Sequence, residues 1–128
     1  MANKVVTTTY GAPEKHILIA NDSYMVTLPA IIKATGVSAG TDGRKVVKAG
    51  TPLYGDIEKR DEGFAISGSG NPVCISMHDV DVTAGDENGT IVLAGCVDLL
   101  KLDADVKTAV ASAKANLPRI IFVEGSAI

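Results

Sequence analysis

The chain has two histidines, His16 and His78, and two cysteines, Cys74 and Cys96, so any Ser–His or Cys–His nucleophile pair must draw on one of those imidazoles. Both histidines fall in extended segments without the motif surroundings of a nucleophile. The densest group of ligand-type side chains is His78-Asp79-Val80-Asp81. Strand alternation puts Asp79 and Asp81 on one face, where two carboxylates can share a hard cation. The plainer reading is a pair of solvated edge carboxylates entering a turn, since no glycine and glutamate follow Asp79 at EF-hand offsets. No bound metal and no cofactor is expected.

Gly40-Thr41-Asp42-Gly43-Arg44-Lys45 is glycine-rich, but it lacks the Lys-Ser/Thr ending of a phosphate-binding loop and leads into no clear helix. A flexible connection is expected there. The string Asp56-Ile57-Glu58-Lys59-Arg60-Asp61-Glu62 could supply an acid and a base, yet six charges in seven residues between β segments read as a solvated loop. Cys74 and Cys96 are too few for a disulfide scaffold and wrongly spaced for a metal box, so they read as small buried hydrophobes. If Val82 pairs with Thr90, Ser76 faces Cys96 and Cys74 lies one diagonal step away, which is not a disulfide register.

The elements that must position these residues are mostly β. Residues 1–15 carry the β-branched run Val5 to Thr9, closed by Gly11 and Pro13, and read as either a disordered leader or a strand awaiting a sheet edge, its own or a partner's. The apolar run His16 to Ala20 and the turn Asn21-Asp22-Ser23 come next, then an extended stretch from Tyr24 to Leu28 that ends at Pro29. Ala30 to Arg44 reads as a loop or a marginal helical turn capped by Gly36. Lys45 to Gly55 reads as a strand and a corner, with Pro52 excluding a central strand position. Phe64 to Ile66 is β again.

Val73 to Val82 and Thr90 to Val97 read as a hairpin around residues 83–89. Its first arm switches apolar parity after Met77, which predicts a bulge or bend near His78-Asp79. The second arm is apolar on both faces and should be central in its sheet. From Leu99 the period turns helical, with Leu99, Leu102, Val106, Ala109, Val110, Ala113 and Leu117 on one face, Asp103 as N-cap and Pro118 as the stop. A last strand spans Arg119 to Val123. The sum is an α+β, β-rich domain over residues 16–128 with one C-terminal helix, preceded by an extended N-terminal arm over 1–15.

The chain has 128 residues, 46% of them apolar, with no Trp, two Phe and three Tyr, so one core of small side chains is expected. Such a core gains stability by docking onto partners. Net charge is −3 and no Lys/Arg run exceeds two residues, which argues against nucleic acid. Nothing approaches 18 consecutive apolar residues and the N-terminus has no secretory pattern, so no membrane partner and synthesis in the cytoplasm are expected.

The ordered strings Lys48-Ala49-Gly50-Thr51-Pro52-Leu53-Tyr54-Gly55-Asp56, Val73-Cys74-Ile75-Ser76-Met77-His78-Asp79-Val80-Asp81-Val82-Thr83, Ile91-Val92-Leu93-Ala94-Gly95-Cys96-Val97-Asp98 and Leu100-Lys101-Leu102-Asp103, followed by an Ala-rich helix and Leu117-Pro118-Arg119-Ile120-Ile121-Phe122-Val123, resemble bacteriophage head decoration proteins. The likeness spans roughly residues 45 to 123, and the corner is similar to that of the lambdoid decoration proteins. The resemblance implies a β-tulip or small barrel-like fold, no enzymatic activity, a homotrimer, and binding to the major capsid protein. Binding is expected on the outer surface of the expanded head at local three-fold axes, where the shell is reinforced. It implies further that an N-terminal arm adds a strand to a loop of the capsid protein. By position that arm is Lys4, Val5, Val6, Thr7, Thr8, Thr9 and Tyr10. Residues 17 to 40 depart from the compact lambdoid version as a longer, more apolar lead-in.

Two rival classes are compatible with the same sequence. Ala49-Gly50-Thr51-Pro52-Leu53 also resembles corners of biotinyl-type barrels, which makes a soluble carrier or ligand-binding β-barrel the alternative, although Met25 and Met77 are not followed by the lysine of an attachment turn. An enzyme resting on His78, Asp79 and Asp81 is the third.

Overall fold

A computed structural model describes Ile17, Leu18 and residues 25–124 of the protein. Seven strands and one α-helix follow one another there: β1 (Val26–Ile32), β2 (Val46–Val47), β3 (Pro52–Leu53), β4 (Cys74–Ser76), β5 (Val80–Asp81), β6 (Glu87–Asp98), α1 (Ala104–Ala113) and β7 (Ile120–Val123). The fold is α+β, mostly antiparallel, with one short α-helix among the described residues, near their C-terminal end. As the two-sided apolar pattern predicted, β6 is central: it pairs with β1, β4 and, in parallel, β7.

The main sheet runs β1-β6-β4-β3, and residues 64–65 close it into a ring. Tyr54 on the β3 side exchanges two backbone hydrogen bonds with Ala65 (2.8 and 3.0 Å). On the β1 side, Phe64 N–H donates to Ile31 C=O (2.9 Å) and Lys33 N–H donates to Phe64 C=O (2.8 Å). The closed path leaves those two strands without open edges at these points. The interior is filled by Phe64, Ile32, Leu53, Cys74 and Ile91, all fully buried, and the ribbon of β2 with β5 adds Val47, Val80 and Val82.

A second apolar layer lies on the outside of the ring, where Ile75 and Val92 meet Leu102, Val106, Val110, Ala113 and Leu117 from α1 and its flanks. Period-2 alternation divides the layers, since Cys74 and Ile91 point in while Ile75 and Val92 point toward the helix. Val97 also belongs to the helix layer, although it lies an odd number of residues beyond Val92. The parity change coincides with a bulge: Val26 pairs with Ala94 and Thr27 with Val92, so Leu93 is the extra residue.

Several expectations are corrected. The segment Val73 to Val82 is not one arm of a hairpin with Val82 opposite Thr90. Ser76 pairs with Ile91, not Cys96, and Met77 N–H donates to Thr90 C=O (2.9 Å). The chain then bends at His78-Asp79, as the parity switch predicted, and β5 leaves to pair with β2. Ser76 Oγ stabilises the bend by donating to His78 C=O (2.7 Å). The stretch ending at Pro29 instead continues to Ile32, so Ala30 to Ile32 are strand and not loop or helical turn. Pro29 is tolerated because its backbone groups face away from β6: its C=O accepts from Arg60 Nη1 (2.6 Å), and its missing N–H costs no ladder bond. Gly36, at φ +80°, sits in a turn and caps no helix. Pairing of β6 starts at Glu87, inside the expected turn. Ala109, expected on the buried stripe of the helix, is exposed.

Candidate functional site

The two candidate carboxylates, Asp79 and Asp81, both have structural occupations. Asp79 Oδ1 accepts from Ala49 N–H (2.7 Å), tying the bend at 78–79 to the corner before β3. Asp81 is turned to different partners. Its Oδ2 accepts from Arg44 Nε (3.0 Å) and Nη2 (2.8 Å), and its Oδ1 accepts from Thr83 N–H (2.9 Å) and from the Thr83 hydroxyl. These hydrogen bonds, those from Thr83 first, hold the Asp81 carboxyl down at about 2. The two carboxylates that alternation put on one face therefore share no cation position, and no group of three metal-ligating side chains occurs among the described residues.

The glycine-rich stretch 40–45 is a tight hairpin. Gly40 N–H donates to Arg44 C=O (2.8 Å), Gly43 N–H donates to Gly40 C=O (3.0 Å), and Arg44 N–H donates to Asp42 Oδ1 (3.1 Å). Amides engaged within their own loop are not presented to a phosphate. Between this hairpin and the start of α1 lies a groove of about 480 Å³, with Val46, Ile66 and Val106 along it. Its cations are already matched. Arg44 holds Asp81, while Lys48 Nζ lies 3.1 Å from Asp105 and 3.5 Å from Asp103, and both cationic pKa values are raised by those carboxylates. Asp103 stands at the N-cap position of α1, but its side chain caps no helical N–H.

The charged string 56–62 forms an exposed 3-10 turn over Ile57–Glu62, started by Asp56, whose Oδ1 accepts from Glu58 N–H (2.9 Å). Arg60 leaves the string to cap Pro29. Cys74 is fully buried, and burial pushes its thiol up to about 12; Cys96 is half-buried, and both thiols are free. No described helix is long and apolar enough to cross a membrane.

The arm residues Lys4, Val5, Val6, Thr7, Thr8, Thr9 and Tyr10, and His16 with them, lie outside the described residues. The point from which they depart is described. Ile17 is 1% exposed in the helix-side layer, its C=O accepts from Asp98 N–H (2.9 Å), and Leu18 bridges Val97 in antiparallel sense. Because Val97 also pairs with Phe122, Leu18 and β7 flank β6 on opposite edges.

Sequence reasoning missed the Arg44–Asp81 and Lys48–Asp105 pairs, which join residues 37 and 57 positions apart. It also missed the closing role of Phe64, whose only signal was a lone aromatic in a short β run. No protein-family model and no curated protein matches this chain.

Proposed function

We propose that the chain is a structural virion protein, not an enzyme, that binds the outer surface of an expanded phage head as a homotrimer at local three-fold sites and stabilises the shell. The observation that carries this reading is the fixed root of the N-terminal segment: Ile17 buried and bonded to Asp98, with the β-prone run Lys4 to Tyr10 upstream of it. A strand anchored at one end loses less freedom when it adds to another protein's sheet. The major capsid protein is the partner in this reading, with residues 4–10 supplying backbone hydrogen bonds to one of its loops. The resemblance of the ordered strings to those of head decoration proteins supports the same reading.

The filled ring supports it against the carrier alternative. Phe64, Ile32, Leu53, Cys74 and Ile91 occupy the interior, so what the molecule offers a partner is its outside. The engagement of Asp79 and Asp81 in backbone and arginine contacts favours the same choice over an enzyme.

Cosedimentation with empty shells tests the proposal. The full chain should pellet with expanded shells and not with unexpanded ones, and a chain lacking residues 2–12 should stay soluble, folded and unbound. Full-occupancy binding by the truncated chain would refute the role of the arm.

A further inference from the structure

We propose that the outer edge of β7 is a docking site for an extended, carboxylate-bearing strand of a partner protein. This does not rest on the decoration reading. The strand edges of the molecule are treated unequally. The β1 edge is blunted by Pro29, by Arg60 on the Pro29 C=O, and by Phe64. The β3 edge is continued by Ala65. Ile120–Val123 has no proline, charge or bulge.

The hydrogen-bond phase of β7 shows which groups are offered. Gly95 N–H donates to Arg119 C=O (3.3 Å), and Gly95 and Val97 are aligned with Ile120 and Phe122. In a parallel ladder of this phase Arg119, Ile121 and Val123 turn their backbone groups to β6, while Ile120 and Phe122 turn theirs outward. Ile120 N–H donates to Leu117 C=O (3.1 Å). The Ile120 C=O and both backbone groups of Phe122 have no partner among the described residues.

Charge complementarity selects the occupant. Beside this edge a groove of about 170 Å³ runs between β7 and α1, lined by Val110, Ala111 and Phe122, with Lys107 and Lys114 on its helix side and Glu124 at its end. The two lysines are two helical turns apart, both are exposed, and neither has an ion-pair partner among the described residues, whereas Arg44 and Lys48 do. An incoming strand that bonds to Phe122 and carries carboxylates along the Lys107–Lys114 length satisfies both sets of groups. Glu124 disfavours a carboxylate at the far end.

The probe is a blocked peptide alternating glutamate and valine, titrated into the nitrogen-15-labelled full chain and followed by NMR. The expected result is saturable shifts confined to Ile120–Val123 and the Lys107–Lys114 face, with slowed exchange of the Phe122 amide. The variant Lys107→Glu/Lys114→Glu should keep its folded spectrum and bind on the order of ten-fold more weakly, with Lys107→Gln/Lys114→Gln between the two. The proposal is overturned by the absence of shifts at β7, by equal binding of a lysine–valine or proline-interrupted peptide, or by a Phe122 amide already protected in the free chain. Self-association through β7, read as concentration-dependent shifts there without peptide, overturns it as well.

Discussion

The Asp98 N–H donates to the Ile17 C=O at 2.9 Å, and this bond joins the start of the described chain to the end of its longest strand. It stands beside a fully apolar contact, because the Ile17 side chain is buried with Val97, Val110 and Ile120 in the layer under α1. A backbone bond at a strand end frays easily unless burial holds it. Ile17→Ala should therefore destabilise the protein by about 2–5 kcal/mol and weaken shell binding beyond the loss caused by unfolding. Urea unfolding with cosedimentation at matched folded fractions checks both; a variant of unchanged stability and binding contradicts the anchoring role.

Phe64 fills the ring and carries the backbone bonds that close it on the β1 side. Phe64→Leu keeps those bonds and part of the volume, while Phe64→Ala leaves a cavity. The alanine variant should lose about 3–5 kcal/mol and the leucine variant clearly less. Denaturant midpoints decide, and equal losses would show that side-chain volume is not what matters at this position.

Gly50 is bound to its conformation by two constraints. Its φ is +89°, and an added Cβ would come within 2.5 Å of Leu102 Cδ2 and 3.2 Å of Val106 Cγ1. Gly50→Ala combines a left-handed backbone with overpacking under the helix, for an expected loss of about 1–3 kcal/mol. A Leu102→Ala background should lessen the steric share of that loss. Strict additivity of the two changes would argue that only the backbone is strained.

Asp81 titrates near 2 in the folded protein, against 3.8 for an unperturbed aspartate, because Thr83 and Arg44 stabilise its charged form. A depressed folded-state pKa adds stability that is complete above the unfolded value and disappears as pH falls through the folded one. The stability difference between wild type and Asp81→Asn should therefore be constant above about pH 5 and shrink between about pH 4 and 2. Urea midpoints measured along that range check the window. A difference independent of pH would contradict the assignment of these bonds to the ionised carboxylate.

Cys74 and Cys96 should differ in reactivity. Burial holds the Cys74 thiol near 12, so at pH 8 it stays protonated and shielded, whereas Cys96 is half-buried. A disulfide-exchange reagent should label Cys74 only on unfolding, and mass mapping of the modified peptide identifies which thiol reacted. Rapid labelling of Cys74 in the native protein would mean that the ring opens readily.

Local patterning carried much of the fold. The apolar run on both faces of β6 announced its central place, and the parity switch after Met77 marked the bend at His78-Asp79. The registers were not legible, because pairing depends on what lies opposite. Val80 and Asp81 leave β6 for β2 through the contact between Asp79 and the Ala49 amide, 30 residues apart. Pro29 looked like a strand end because its missing N–H is costly only when it faces a partner strand. Among the candidate site residues, the type of Asp79 and Asp81 suggested a cation, and only the positions of Ala49, Arg44 and Thr83 show that both carboxylates are already occupied.

The proposed docking on a phage shell is read by a cryo-EM reconstruction of empty expanded heads incubated with an excess of the 128-residue chain. The expected map has trimeric knobs on the outer surface at every local three-fold axis, with a strand formed by Lys4 to Tyr10 added to the capsid protein beneath each copy. Bare shells, or density on other axes or on the inner face, would contradict it.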